Sequence, residues 1–301
     1  MIRTYFSHLS IILTLLLSSS GIYAFSNNNA AIKSKSQLNI KSWTFMTSNL
    51  EWNNQIDDIL TKCMRKVETT IPLKFHPGFT FGLGCNEWKG SNFEGITEGW
   101  SGKPKISWLA KGLFQSADTD KPYSQGDINI FVSPLYNVPH LRMSVSRSSS
   151  GFSLSLDYPP RYDLINANMT YFDTYFKGLD GWICEAERLP TVCYHAPSEV
   201  FMSRIVRGPY SLNIDVQPEA YDTVQQLCLE QVDRWCNWIH SSQTVDETEV
   251  KILYERDNSF HTLRLEEEKF ILAKLFNPDF APKASEIAAA VMGPNYDTIT
   301  F

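Results

Sequence analysis

The chain has 301 residues, 43% of them hydrophobic and 13% aromatic, which is ample for one sizeable buried core. Its formal charge is -6; residues 1–50 hold four basic side chains (Arg3, Lys33, Lys35, Lys41) and no acid, so the rest carries -10. A body this acidic argues against nucleic acid as a partner, because phosphate contacts need clustered Lys and Arg, although it leaves room for a small basic docking patch.

Residues 1–24 read as a signal peptide. Arg3 precedes the apolar run Ile11–Leu17, and small residues lead to Ala24. The run is too short to span a bilayer, so no transmembrane span is expected in the mature protein. Residues 25–50 open on Phe25 and are rich in Ser, Asn and Lys without an acid, the composition of a transit peptide. Together the two parts resemble the leader of complex plastids, which gives plastid stroma as the expected location. A secreted protein with a polar pro-segment is the alternative.

From residue 51 onward there is no repeat and no linker, so one domain is expected over 51–301. Ile56, Ile59, Leu60, Cys63, Met64 and Val67 recur at helical spacing. Residues 79–157 read as strands broken by turns, among them 105–114, 126–132 and a hairpin of 141–147 and 152–157 around Ser148-Ser-Ser-Gly151. Helices follow at 169–179, 198–205, 218–240, 246–270 and 284–292. Strands first and helices later imply an α+β domain, an antiparallel sheet with helices packed on it. The six cysteines form no C-x-x-C and no zinc spacing, and read as mostly buried free thiols.

The expected strands have two unlike faces. Ile128, Ile130 and Val132 alternate with Asp127, Asn129 and Phe131; Met143 and Val145 alternate with Ser144 and Ser146. The polar face either meets water or is roofed in part by the later helices, leaving a polar slot. Asp257 falls within the apolar stripe Val250, Leu253, Tyr254, Phe260, Leu263. A buried carboxyl there is raised in pKa and becomes a candidate proton donor; otherwise it turns to Arg256, Arg264 or solvent. His261 lies one turn on and could join it. No metal-ligating spacing, phosphate loop or nucleotide fingerprint is present.

Tyr254-Glu-Arg-Asp-Asn-Ser-Phe260 followed by Leu275-Phe276, the segment Leu154-Ser-Leu-Asp-Tyr-Pro-Pro-Arg-Tyr-Asp-Leu164, Ala196-Pro197-Ser198, and Ser133-Pro134 through Pro139 to Ser144 resemble segments of red chlorophyll catabolite reductases and ferredoxin-dependent bilin reductases. The resemblance implies an α/β/α sandwich with a linear tetrapyrrole between sheet and C-terminal helices. It implies no bound metal or cofactor, and reduced ferredoxin as partner and electron donor. Asp257 takes the place of the helix acid. Ser144 stands where an acid is expected on the hairpin, and Asp127 could supply the missing proton. Arg204 and Arg207 could grip propionates. Asn129, Phe131, Ser146, Phe260 and His261 complete the expected substrate contacts, and a homodimer is compatible with all of this. A non-catalytic tetrapyrrole carrier is the alternative.

Overall fold

The structure is a computed structural model that describes residues 50–75, 87–89, 93–116, 122–164, 169–190, 192–194, 207–208, 210–275 and 281–293. Alternating apolar residues build an antiparallel sheet of nine strands: β1 (Lys74–Phe75), β2 (Glu87–Lys89), β3 (Phe93–Gly102), β4 (Ile106–Ser116), β5 (Tyr123–Val132), β6 (Leu141–Ser148), β7 (Gly151–Asp157), β8 (Val192–Tyr194) and β9 (Leu212–Val216). Their order is β1-β3-β4-β5-β6-β7-β9-β8, with β2 also paired to β3. The expected hairpin is β6–β7, turning at Ser149-Ser150; Gly151 follows at φ +134°, a conformation that favours glycine.

Two long helices cover one face, α1 (Leu50–Thr70) and, late in the chain, α4 (Tyr221–Ser241). Ile56, Ile59, Leu60, Cys63 and Val67 of α1 are fully buried against Ile128, Ile130, Met143 and Val145, at about 1.5–3 kcal/mol for each large aliphatic side chain. Gly126 lets α1 approach: a Cβ there would lie 2.6 Å from Ile56 and Leu60. The opposite face receives α5 (Glu247–Leu275) and α6 (Ala281–Met292). Phe260 and Met292 pack there on Trp108, Ala110 and Phe131, and Leu272 and Ile287 on Trp88 and Phe114. Asp246 caps α5 by accepting the Glu249 N–H at 2.9 Å. The result is the expected α/β/α sandwich.

Several boundaries differ from the expectation. Residues 169–179 are not one helix but α2 (Met169–Tyr175), a turn, and the start of α3 (Leu179–Glu187). The helix expected from 218 begins at Tyr221, after a turn at Pro218-Glu219. Strand β9 was not anticipated, although Leu212, Ile214 and Val216 alternate with polar Asn213 and Asp215. The leader (1–50, Leu50 apart) and the helix expected at 198–205 lie outside the described residues. Cys63, Cys228 and Cys236 are buried free thiols and Cys184 an exposed one. Among the described residues no helix is long and apolar enough to cross a membrane.

Candidate active site

Strand register lines up the polar face in rows. Asp127 of β5 stands opposite Ser144 of β6, Ser144 opposite Ser155 of β7, and Ser155 opposite Asn213 of β9. At about 4.8 Å per strand, this row runs roughly 14 Å. A second row runs Gln125, Ser146, Ser153, Asp215, and a third Asn129, Arg142, Asp157. Ser155 donates to Asn213 Oδ1 at 3.0 Å, as does Arg207 Nη1 at 2.7 Å, and Ser153 donates to Asp215 at 2.6 Å. Ser144, Ser146 and Ser155 are half-buried and Ser153 is exposed. Among the described residues the helices therefore roof the β3–β5 part of this face, while the β6–β7–β9 part is a hydroxyl-lined platform, half-buried to exposed.

Asp127 stands at the border between roof and platform. Gln125 Nε2 donates to its two oxygens at 3.1 and 3.0 Å. Burial pushes its carboxyl up, and the nearby Glu268 carboxylate adds to this; hydrogen bonds from Ser144 and Gln125 and the charge of Arg142 pull the other way, leaving it at about 6. Glu268 belongs to a buried charge cluster on α5. Arg264 pairs with Glu267 and Glu268, and Arg142 reaches the same two carboxylates at 3.7 and 3.9 Å. Burial, with Arg142 nearby, lowers Arg264 to about 10.

Asp257 corrects an expectation. It is buried, 1% exposed, but it is no neutral acid and its partner is neither Arg256 nor Arg264. Arg161 Nε donates to Oδ1 at 3.1 Å and Arg161 Nη2 to Oδ2. Burial pushes this carboxyl up, but the Arg161 charge and His140 outweigh it and hold the group below its ordinary value. The Val132 N–H donates to His140 Nδ1 at 3.1 Å, so the ring proton sits on Nε2 and is donated to Asp257 Oδ1, also at 3.1 Å. His140 thus takes the place expected for His261. His261 instead donates to the carbonyls of Met292 and Gly293 at 3.2 and 3.4 Å, closing the end of α6.

The structure brings Asp127, Asn129, Ser144 and Ser146 together and sets Asp257, Phe260 and His261 apart from them. From Asp257 to Glu268 is about 16 Å along α5. Phe131 and Phe260 fill the gap between sheet and helix, each 4% exposed, with centroids 6.4 Å apart. Arg207 borders the platform; Arg204 lies outside the described residues. Sequence reasoning missed Arg142, Gln125 and Glu268, although the signals were present. Arg142 and Gln125 share strand faces with Ser144 and Asp127, and Glu268 lies three turns beyond Asp257 on one helix face. Among the described residues no three side chains are grouped to hold a metal ion.

The fold is similar to that of phytochromobilin synthase from tomato, solved in complex with biliverdin, with a TM-score of 0.64, 14% identity, and coverage of 79% of this chain and 85% of that one. At that identity the likeness is one of fold: an antiparallel sheet between helical layers. Residues 119–289 match the red chlorophyll catabolite reductase (RCC reductase) family, and the chain belongs to that family. No curated protein sequence matches it.

Proposed function

We propose that the chain reduces a linear tetrapyrrole, with red chlorophyll catabolite as favoured substrate and a bilin as the variant. Electrons come singly from reduced ferredoxin and protons from the protein, without a bound cofactor, in the plastid stroma. The observation that carries this reading is Asp127, a carboxyl raised to about 6 at the edge of a flat platform, in a chain of the RCC reductase family. The pigment lies on the row Ser144, Ser155, Asn213 with its edge against Asp127. Arg207, whose buried Nε has no hydrogen-bond partner among the described residues, is available to a propionate beside it. Asp257 keeps a different part, as the anchor of α5 rather than the acid.

The test is an absorbance titration with red chlorophyll catabolite and biliverdin, followed by anaerobic turnover with reduced ferredoxin. Binding with bleaching of the pigment supports the reading. Binding without reduction favours a carrier, the second reading, which rests on Ser144 standing where an acid is expected. No binding of either pigment removes both.

A further inference from the structure

Two polar side chains are buried in the roofed part of the sheet. Thr97 of β3 and Asn129 of β5 are 2% and 5% exposed. Polar groups buried this far are nearly always satisfied, by protein or by ordered water. Both line one cavity of about 40 Å³, together with Gln125, Asp127 and Glu268. Leu272 of α5 and Ile287 of α6 give it an apolar wall. At roughly 10–15 Å³ of such space per water, the cavity holds about three or four waters, with Thr97, Gln125, Asp127, Asn129 and Glu268 as polar partners. It is far too small for a tetrapyrrole, whose platform lies on the β6 side of Asp127.

We propose that this cavity is a hydrated proton reservoir that restores the proton on Asp127 after each transfer to the ligand, its waters exchanging with bulk solvent. The inference rests on the proposed reduction. Each two-electron reduction consumes two electrons from the one-electron iron–sulfur donor and two protons. Asp127 gives its proton to the reduced ligand, where a new C–H or N–H bond forms, and is left as a carboxylate. A cavity water passes a proton to that carboxylate and takes one from bulk water that reaches the cavity. Glu268, which lines the cavity, is 15% exposed at its side chain and stays paired with Arg264. The charged and polar groups facing Asp127 are Gln125 and Tyr123 on its own strand, Ser144 and Arg142 from β6, and Glu268 and Arg264 from α5. Gly112 of β4 also lines the cavity and brings no side chain; a Cβ there would meet nothing within 4 Å.

That opening supplies the experiment. In the full chain, Gly112→Leu displaces the water and Thr97→Val removes one polar wall with little change of shape. Biliverdin affinity is expected to stay within about threefold of wild type. The first protonation after mixing with reduced ferredoxin is expected to keep its rate, because Asp127 starts loaded. Steady-state turnover then falls about tenfold near pH 8 and less near pH 6, with a larger solvent deuterium isotope effect. Affinity falling in step with turnover would make the cavity part of the ligand's space and overturn the inference. So would unchanged turnover, or first and later protonations slowed alike. A crystal structure showing the cavity dry overturns it without reference to any substrate, whereas wild-type protein that binds but does not reduce tetrapyrrole sinks the functional reading instead.

Discussion

Arg161 and Asp257, 96 residues apart in sequence, meet as a fully buried, two-pronged ion pair. The same guanidinium donates to the Ser133 and Tyr136 carbonyls, and the Arg161 N–H to the Tyr171 hydroxyl at 3.0 Å. One side chain thereby ties the 133–140 loop, the exit of β7 and helix α5 together. This fixes the rotation of α5 and, three turns on, presents Glu268 to Asp127.

Removing one partner of such a pair leaves a buried charge unpaired, at a cost of about 3–5 kcal/mol. Asp257→Asn is therefore expected to lower Tm by roughly 10 °C. The double variant Arg161→Met/Asp257→Leu should recover much of that loss, because both charges are then gone. Differential scanning calorimetry of the three proteins checks this. A stable single variant with lost turnover would return Asp257 to the role of catalytic acid.

The same cluster sets the acid limb of stability. Burial keeps His140 neutral, with Asp257 opposing and Arg161 and Arg256 reinforcing the shift. Its folded pKa lies below the unfolded value of about 6.5, so the unfolded chain takes up a proton that the folded chain refuses, and stability falls as pH drops below about 6.5. The Asp257 carboxyl is also held below its ordinary value; its contribution is present above about pH 4 and is lost as pH falls through the lower folded value. Urea midpoints across pH 3–8 should show both stages. His140→Gln should remove the upper stage and leave the lower.

Asp127 carries the opposite sign. Its folded pKa, about 6, lies above the unfolded value near 3.9, so above pH 6 the folded state holds a carboxylate it disfavours. Asp127→Asn should thus be more stable than wild type near pH 8 and about equal near pH 4. It should also lose turnover by about 100-fold or more while binding pigment within a few fold. In the wild type, turnover should decline as pH rises through about 6. An Asp127→Asn protein with full turnover would remove Asp127 from the chemistry.

The buried thiols make a separate forecast. Burial pushes Cys63 up to about 12 and raises Cys228 and Cys236 as well, so little thiolate is present in the folded chain. Of these and the exposed Cys184, a thiol reagent should label Cys184 rapidly and the other three only after unfolding, as read by peptide mass mapping. A disulfide joining any of the three would contradict the assignment.

Much of the fold was legible because the apolar periods are clean. Ile56 to Val67 at helical spacing and Ile128, Ile130 and Val132 at period two are local signals, and one buried face suffices to read them. The site was less legible because its charges are satisfied across long separations. The carboxyl of Asp257 reads as a lone acid until Arg161 is seen beside it. Arg142 reads as a surface charge until α5 brings Glu267 and Glu268 within reach. What the strand pattern could carry was the shared face of Asp127, Asn129, Ser144 and Ser146, since alternation alone fixes it.

Arg207 tests where the pigment's acid groups lie. Its Nη1 already serves Asn213, while its buried Nε is without a partner among the described residues, and burial with the nearby Arg142 charge lowers its pKa. A propionate would supply both the missing acceptor and the compensating charge. Arg207→Met is expected to weaken biliverdin binding about tenfold or more, a loss typical of a charged hydrogen bond. The same substitution should change the affinity for biliverdin dimethyl ester by less than about twofold, since the ester offers no charge to pair. Equal losses for acid and ester would mean that Arg207 shapes the platform rather than gripping the carboxylate, and would move the propionate site elsewhere.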